Sequence, residues 1–442
     1  MPNLQTPLRS GPLLGISLEK NSHIPGDTIT GLVCRQTHTV SPDASVSVCM
    51  FGRVRTIGVM GNNSKEYQGQ YNICYHSQTI YKGPLHIETS GHCKEWSFEI
   101  SLPKYGDPSL DQSNKHPTYQ PLDPSDHELP PTHTLRNTSH MAAVIEYVIK
   151  ARLTLTSHGE IEVFEAVLPF KVINSTPDPP IVDFQVIRRR NDCAISSQRL
   201  VPGMRDVKLS LKDKIKQSFS ASKDPELGFD LFIEAPMTIQ LDNPTPIPFR
   251  LCVSPNWDKT SDAIRDMPQE VNVSSIQICI VTTTTILCHG RLEVKESTEI
   301  DLGVNEAISQ LKKNIQIPFS TEWQFIDVGE AINLRIGLQN TGFPRQWTFR
   351  QTEFTHSFMR YNVRVSHRLK WSVKGDIVGE RFEASGASDL LILKPSDGRE
   401  HVQRAEETVV TENRVLLHRN ASWIVPPPEE APPSFTVAQK EN

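Results

Sequence analysis

Residues 14 to 33 read Leu14-Gly-Ile-Ser-Leu-Glu-Lys-Asn-Ser-His-Ile-Pro-Gly-Asp-Thr-Ile-Thr-Gly-Leu-Val33. Leu14, Ile16 and Leu18 alternate with small or polar residues, the pattern of a strand with one face on a core. Pro25 and Gly26 suit the two central places of a type II turn, because Pro pre-sets φ at the first and Gly accepts φ > 0 at the second. A second strand is expected beyond the turn, with Ile29 and Val33 on one side.

The same two-residue period recurs along the chain. Val46, Val48 and Met50 alternate with Ser45, Ser47 and Cys49, and Trp96, Phe98, Ile100 and Leu102 alternate with polar residues until Pro103. Ile145, Tyr147, Ile149, Ala151, Leu153 and Leu155 hold one parity, and Val163 to Val172 forms another extended run. In the second half the strand runs are Ile181 to Ile187, Phe229 to Ile233, Ile247 to Val253, and Ile276 with Ile278 and Ile280. They continue with Ile332, Leu334, Ile336 and Leu338, then with Tyr361, Val363, Val365, Leu369, Trp371 and Val373. Clean alternation is the habit of antiparallel sheets with one wet face. Proline (33) outnumbers glycine (23), which fits many short strands and extended linkers better than a helical bundle.

Four segments break the pattern. Residues 104–140 are rich in Pro, Asp, Ser, Asn and His and predict a disordered insertion. Asn174-Ser-Thr-Pro-Asp-Pro-Pro180 reads as a linker stiffened by proline. Residues 196–228 carry Lys208, Lys212, Lys214 and Lys216, with Leu211, Ile215 and Phe219 spaced for a short amphipathic helix. Residues 396–442 lose periodicity and predict a Pro-rich mobile tail. The expected organisation is an N-terminal domain over 1–173, the linker 174–180, a C-terminal domain over 181–395 and the tail.

The net charge of −5 gives no reason to expect nucleic acid as a partner. The eight cysteines include no Cys-x-x-Cys pair, and most sit in apolar strand patterns, where a free thiol behaves as a small hydrophobe. Met1 to Pro12 lacks an apolar signal core and no stretch reaches the length of a membrane span, so the expectation is a reduced, cytoplasmic protein. Phosphate-binding loops, nucleophile elbows, zincin motifs and dinucleotide fingerprints are absent, so neither an enzyme nor a cofactor is expected. A site assembled only in space is the contrary possibility. Cys74, His76, His92 and Cys93 are metal-ligating types within a short span. Their spacing matches no standard zinc motif, so core cysteines and exposed histidines are expected instead of a metal.

Basic residues cluster at Arg188-Arg189-Arg190, at the lysines above, and at Arg345, Arg350, Arg360, Arg364, Arg368 and Lys370. Arg364, Arg368 and Lys370 occupy the polar positions of their strand, which suits a solvated sheet face. The functional reading of Arg360, Arg364, Arg368 and Lys370 is contact with phosphorylated tails or anionic lipid heads, because Arg forks pair with phosphate.

The opening hairpin, Val46-Ser-Val-Cys-Met-Phe-Gly-Arg53, Trp96-Ser-Phe-Glu-Ile-Ser-Leu-Pro103 and Ile145-Glu-Tyr-Val-Ile-Lys-Ala-Arg-Leu153 resemble, in that order, the N-terminal domain of arrestin-like proteins. Pro248-Phe-Arg-Leu-Cys-Val253 and the segment Thr355 to Trp371 are similar to the C-terminal domain of the fungal members, the arrestin-related trafficking adaptors. The resemblance implies an all-β chain of two antiparallel immunoglobulin-like β-sandwiches joined in tandem. It also implies a cytosolic adaptor, recruited to plasma membrane or endosomes, that binds membrane transporter or receptor tails and links them to ubiquitin-dependent endocytosis or signalling. Many members recruit a HECT-type ubiquitin ligase with WW domains through Pro-Pro-x-Tyr. This chain has no such motif; His116-Pro-Thr-Tyr119 lacks the first Pro and Pro432-Pro-Ser-Phe435 lacks the phenol. Pro432, Pro433 and Phe435 keep the polyproline helix and a ring, and losing the hydroxyl weakens such binding by about 1–2 kcal/mol or more. The alternative role for the same architecture is a structural subunit of a sorting complex of the retromer type.

Overall fold

The computed structural model describes residues 14–60, 65–88, 93–107, 109–110, 128–138, 141–157, 160–204, 224–267, 269–288, 292–311, 315–337 and 354–396. Strand makes up 66% of them and helix 7%, so the class is all-β. Four sheets account for the strands.

In the first half a three-stranded antiparallel sheet has the order β1 (Gly15–Leu18), β3 (Thr28–Arg35), β6 (Lys94–Ser101). A larger sheet runs β2 (Ser22–His23), β9 (Glu160–Val172), β8 (Met141–Ser157), β4 (Thr39–Met60), β5 (Lys65–Ile87), with β7 (His133–Thr138) added beside β8. The second half holds β10 (Val186–Ser196), β11 (Glu226–Pro236), β13 (Arg250–Pro255) and β17 (Ile326–Asp327) in one sheet. The other runs β12 (Thr238–Gln240), β20 (Glu380–Leu393), β19 (Val363–Ile377), β14 (Glu270–Cys288), β15 (Leu292–Asp301). There β16 (Ile315–Pro318) pairs with β14 and β18 (Phe358–Arg360) with β19.

The alternating residues read from the sequence form the cores. Ile29, Val33, Val46, Val48, Met50, Trp96, Phe98, Ile100 and the Ile145–Leu155 series are buried in one cluster that both first-half sheets share. Phe229, Leu231, Ile233, Leu251, Val253, Ile276, Ile278, Ile280, Leu369, Trp371 and Val373 belong to a second cluster between the two second-half sheets. The first cluster also takes in Ile286, Val363 and Val365 from the far ends of β14 and β19, with Tyr361 from the turn before β19. Those two strands therefore reach from one core into the other.

The opening stretch folds with one detour. Pro25-Gly26 makes the expected turn, with the Asp27 N–H donating to the Ile24 carbonyl at 2.9 Å and Gly26 at φ +98°. β1 pairs antiparallel with β3, Leu18 opposite Gly31. Between them, however, Ser22 and His23 cross to the larger sheet and pair in parallel with Lys171 and Val172. The turn thus redirects the chain between sheets instead of closing a two-stranded hairpin.

Three other expectations change. Ile332, Leu334 and Ile336 are buried as their period requires, but not as a strand. Ile332 caps the short helix Val328–Ala331, Asn333 takes φ +53°, and the Leu334 N–H donates to the Gly329 carbonyl at 2.8 Å. Alternation here reports burial on a turn, and Leu338 lies outside the described residues. The run expected from Ile181 becomes strand only at Val186. The polar insertion of 104–140 is narrower than its composition suggests. Within it Leu129 is fully buried and receives the Asn174 side-chain amide on its carbonyl at 2.7 Å, and β7 pairs with β8. The helix expected around Leu211, Ile215 and Phe219, and residues 397–442, lie outside the described residues.

Candidate functional site

β19 carries three of the four cations expected to meet phosphate. Its burial alternates strictly, so Arg364, Arg368 and Lys370 face water while Val363, Val365, His367, Leu369 and Trp371 face inward. The fourth, Arg360, is separated from them. It lies opposite Val363 across a two-residue turn whose members, Tyr361 and Asn362, both have positive φ (47° and 64°), as tight primed hairpins need. Paired residues share a face, so Arg360 belongs to the inward side at the strand's end.

The outer face is laid out in rows across β15, β14 and β19. One row is Lys295, Thr285, Arg364; the next is Ser297, Thr283, Ser366; the third is Glu299, Val281, Arg368; the fourth is Asp301, Cys279, Lys370. Carboxylates engage the lower rows. Lys370 Nζ lies 2.6 Å from Glu299 Oε2, and Arg368 Nε lies 3.4 Å from Asp389 Oδ1 on β20. The Lys370 hydrogen bond holds the Glu299 carboxyl below its ordinary value. The top row is different: Arg364 stands opposite Thr285, which is buried, with no carboxylate in its row, and the next row holds the hydroxyl pair Thr283–Ser297 (2.8 Å). Lys295, at the other end of that row, contacts Glu293 at 3.1 Å.

The inward face of the same strands meets the first half of the chain through polar groups. Between Ile280 and Ile286 the inward positions of β14 are Thr282 and Thr284, and between Val365 and Leu369 that of β19 is His367. Thr284 Oγ1 lies 3.2 Å from His133 Nε2 on β7, and the His367 Nδ1–Ser357 Oγ distance is 3.0 Å. The Asn362 side-chain amide donates to the Tyr71 phenol and, at 3.2 Å, to the Leu287 carbonyl. Lys394 pairs with Glu128, tying β20's end to the first half. Burial depresses the histidines, His133 and His367 to about 4 and His356 to about 3, the last with help from Lys394. They are therefore neutral at pH 7. This seam escaped the reading of single strands. Its signal is the polar Thr282-to-Thr285 run and His367 interrupting an otherwise apolar parity.

The remaining candidates sit apart. Cys74 is buried beside Gly52, where a bulge in β4 leaves no space for a Cβ: it would stand 2.6 Å from the Tyr147 ring and 2.9 Å from Cys74 Sγ. Burial lifts the Cys74 thiol to about 12. His76 points outward on β5, and Cys93 precedes β6 in the other sheet. His92 lies outside the described residues, among which no group of three or more His, Cys, Asp or Glu could hold a metal ion. Arg188 and Arg190 pair with Glu234 (2.8 Å) and Asp230 (2.9 Å), and Arg188 also covers the Trp323 ring at 4.5 Å. Lys208 to Lys216, Arg345, Arg350, His116 to Tyr119 and Pro432, Pro433 and Phe435 lie outside the described residues.

Among the described histidines, cysteines and tyrosines that titrate away from their ordinary values, burial is the largest cause in every case. No helix of the described residues is long and apolar enough to cross a membrane. Neither known family profiles nor curated proteins give a match to this chain.

Proposed function

We propose that the chain is a non-enzymatic adaptor of the arrestin-like kind, two antiparallel immunoglobulin-like β-sandwiches in tandem. It binds cytoplasmic regions of membrane proteins and links them to ubiquitin-dependent endocytosis or signalling. The tandem arrangement is supported by two cores, each shared by a small and a large sheet. The adaptor role is supported by the kind of surface the strands present, broad sheet faces with charged side chains in water.

One observation carries the binding surface, the position of Arg364 in a row without a carboxylate. An exposed guanidinium with no carboxylate in its row can take a phosphate as a fork. Arg368 and Lys370 are already occupied by Asp389 and Glu299, so they contribute less. Arg360 lies on the other face and is not part of this surface. Recruitment of a HECT-type ligase falls to the tail around Pro432, Pro433 and Phe435, with the weaker affinity expected from the missing phenol.

Proximity labelling in living cells, with the full chain and with residues 397–442 removed, tests the proposal. Membrane proteins and a ubiquitin ligase among the labelled neighbours, with the ligase lost on truncation, support it. Labelling of one fixed-stoichiometry complex with no membrane cargo would replace it with the sorting-scaffold role.

A further inference from the structure

Cys34 and Cys93 lie together at one end of the three-stranded sheet. In the β3–β6 register Cys34 is opposite Glu95 and Arg35 opposite Lys94, so Cys93 falls at the diagonal position next to Cys34 on its face. The Cys93 thiol donates to the Lys94 carbonyl at 3.6 Å, and the Cys34 side chain is near enough to raise its titration. Both residues are partly exposed. Cys74, Cys252 and Cys279, by contrast, are buried in different strands.

We propose that Cys34 and Cys93 form a reversible dithiol–disulfide pair, oxidised by a peroxide, that staples β3 to the start of β6. Cys34 is the attacking sulfur. Its thiolate breaks the peroxide O–O bond, forming an S–O bond and releasing hydroxide, which leaves as water after taking a proton. Cys93 then attacks the Cys34 sulfur: the S–S bond forms, the S–O bond breaks, and the hydroxide leaves with the thiol proton as a second water. The two sulfurs lose two electrons and the peroxide is reduced to two waters. Burial, and after it the neighbouring Cys34, push the Cys93 thiol up to about 11, so Cys93 holds its proton at neutral pH and is assigned the resolving step. The bond closes a loop that contains β4 and β5, so it constrains the unfolded chain over a long span.

The test is non-reducing peptide mapping of the full chain after hydrogen peroxide, with Cys34→Ser and Cys93→Ser beside it. The expected result is a Cys34–Cys93 cross-linked peptide and an intact chain lighter by two hydrogens, both reversed by dithiothreitol. In Cys93→Ser a sulfenic acid at Cys34 accumulates and is trapped by dimedone; in Cys34→Ser neither product forms. The wild-type map alone can overturn the idea, because both cysteines recovered as unlinked thiols or as separate over-oxidised acids would exclude the pair. A cross-link between chains instead of within one would exclude it as well.

Discussion

β19 presents Val363, Val365, His367, Leu369 and Trp371 on one face and Arg364, Arg368 and Lys370 on the other. The inward face is not uniform. Leu369 and Trp371 lie in the second-half core and Val363 and Val365 in the first-half core, with His367, Thr282 and Thr284 between them. A purely apolar strand could hold two cores together but would leave its placement against the first half unspecified. The hydrogen bond between His133 on β7 and Thr284 on β14, and that from Asn362 in the turn before β19 to Tyr71 on β5, place the second-half strands on the first half. The outer face needs no such precision, because water solvates whatever is not paired. Stability should therefore respond strongly to inward substitutions, and binding to outward ones.

The largest effect is expected at Trp371, which is 4% exposed and stacked against Gly386, where no Cβ fits. Trp371→Ala should remove about 3–5 kcal/mol of unfolding free energy in urea titrations. A loss under about 1 kcal/mol would mean this face is not the core it is described as.

Asn362 tests the seam. Asn362→Ala deletes the hydrogen bonds to Tyr71 and Leu287 and puts an alanine at φ +64°, so about 2–3 kcal/mol should be lost. Asn362→Gly restores the backbone freedom and should recover part of that loss, leaving the hydrogen-bond share.

The seam should also show in acid. His133, His356 and His367 are neutral in the fold down to about pH 3–4, whereas unfolded histidines protonate near 6.5. Below about pH 6.5 the unfolded chain binds more protons, so stability falls as pH drops toward 4, by up to about 1.4 kcal/mol per pH unit for each histidine. Above that window these residues contribute no slope. Unfolding at pH 7.5 and pH 5 compares the two conditions, and His367→Phe should flatten the difference.

The outer face should barely register in stability. Lys370→Ala breaks an exposed pair with Glu299 and should cost about 0–1 kcal/mol, with high salt erasing the difference.

Much of this was legible from residues. The strict parity of Ile145 to Leu155 and of Val363 to Val373 located core-facing strands, because burial on one face leaves a period of two. Pro25-Gly26 announced its turn, since Pro pre-sets φ at the first central place and Gly takes φ > 0 at the second without strain. The destination of a strand was not legible. Ser22-His23 crosses to another sheet, and Ile332 to Ile336 bury themselves on a turn, because alternation records which side chains are inside and not which backbone pairs with which. The seam was partly written in sequence: His367 and the threonines of 282 to 285 break an apolar pattern where the strand passes between two cores. Charge on the outer face was legible as exposure, but its neutralisation was not, since Glu299 and Asp389 come from other strands.

The most direct measurement is quantitative proximity labelling by the wild type and by Arg364→Ala, with unfolding free energies measured on both. The account predicts equal stability within about 0.5 kcal/mol, as for other surface substitutions, and a severalfold drop in labelled membrane proteins. Phosphatase treatment or anionic-vesicle competition then tells a phosphorylated tail from a lipid head. Unchanged labelling at equal stability would contradict the claim that the outer face of β19 is where this protein meets its cargo.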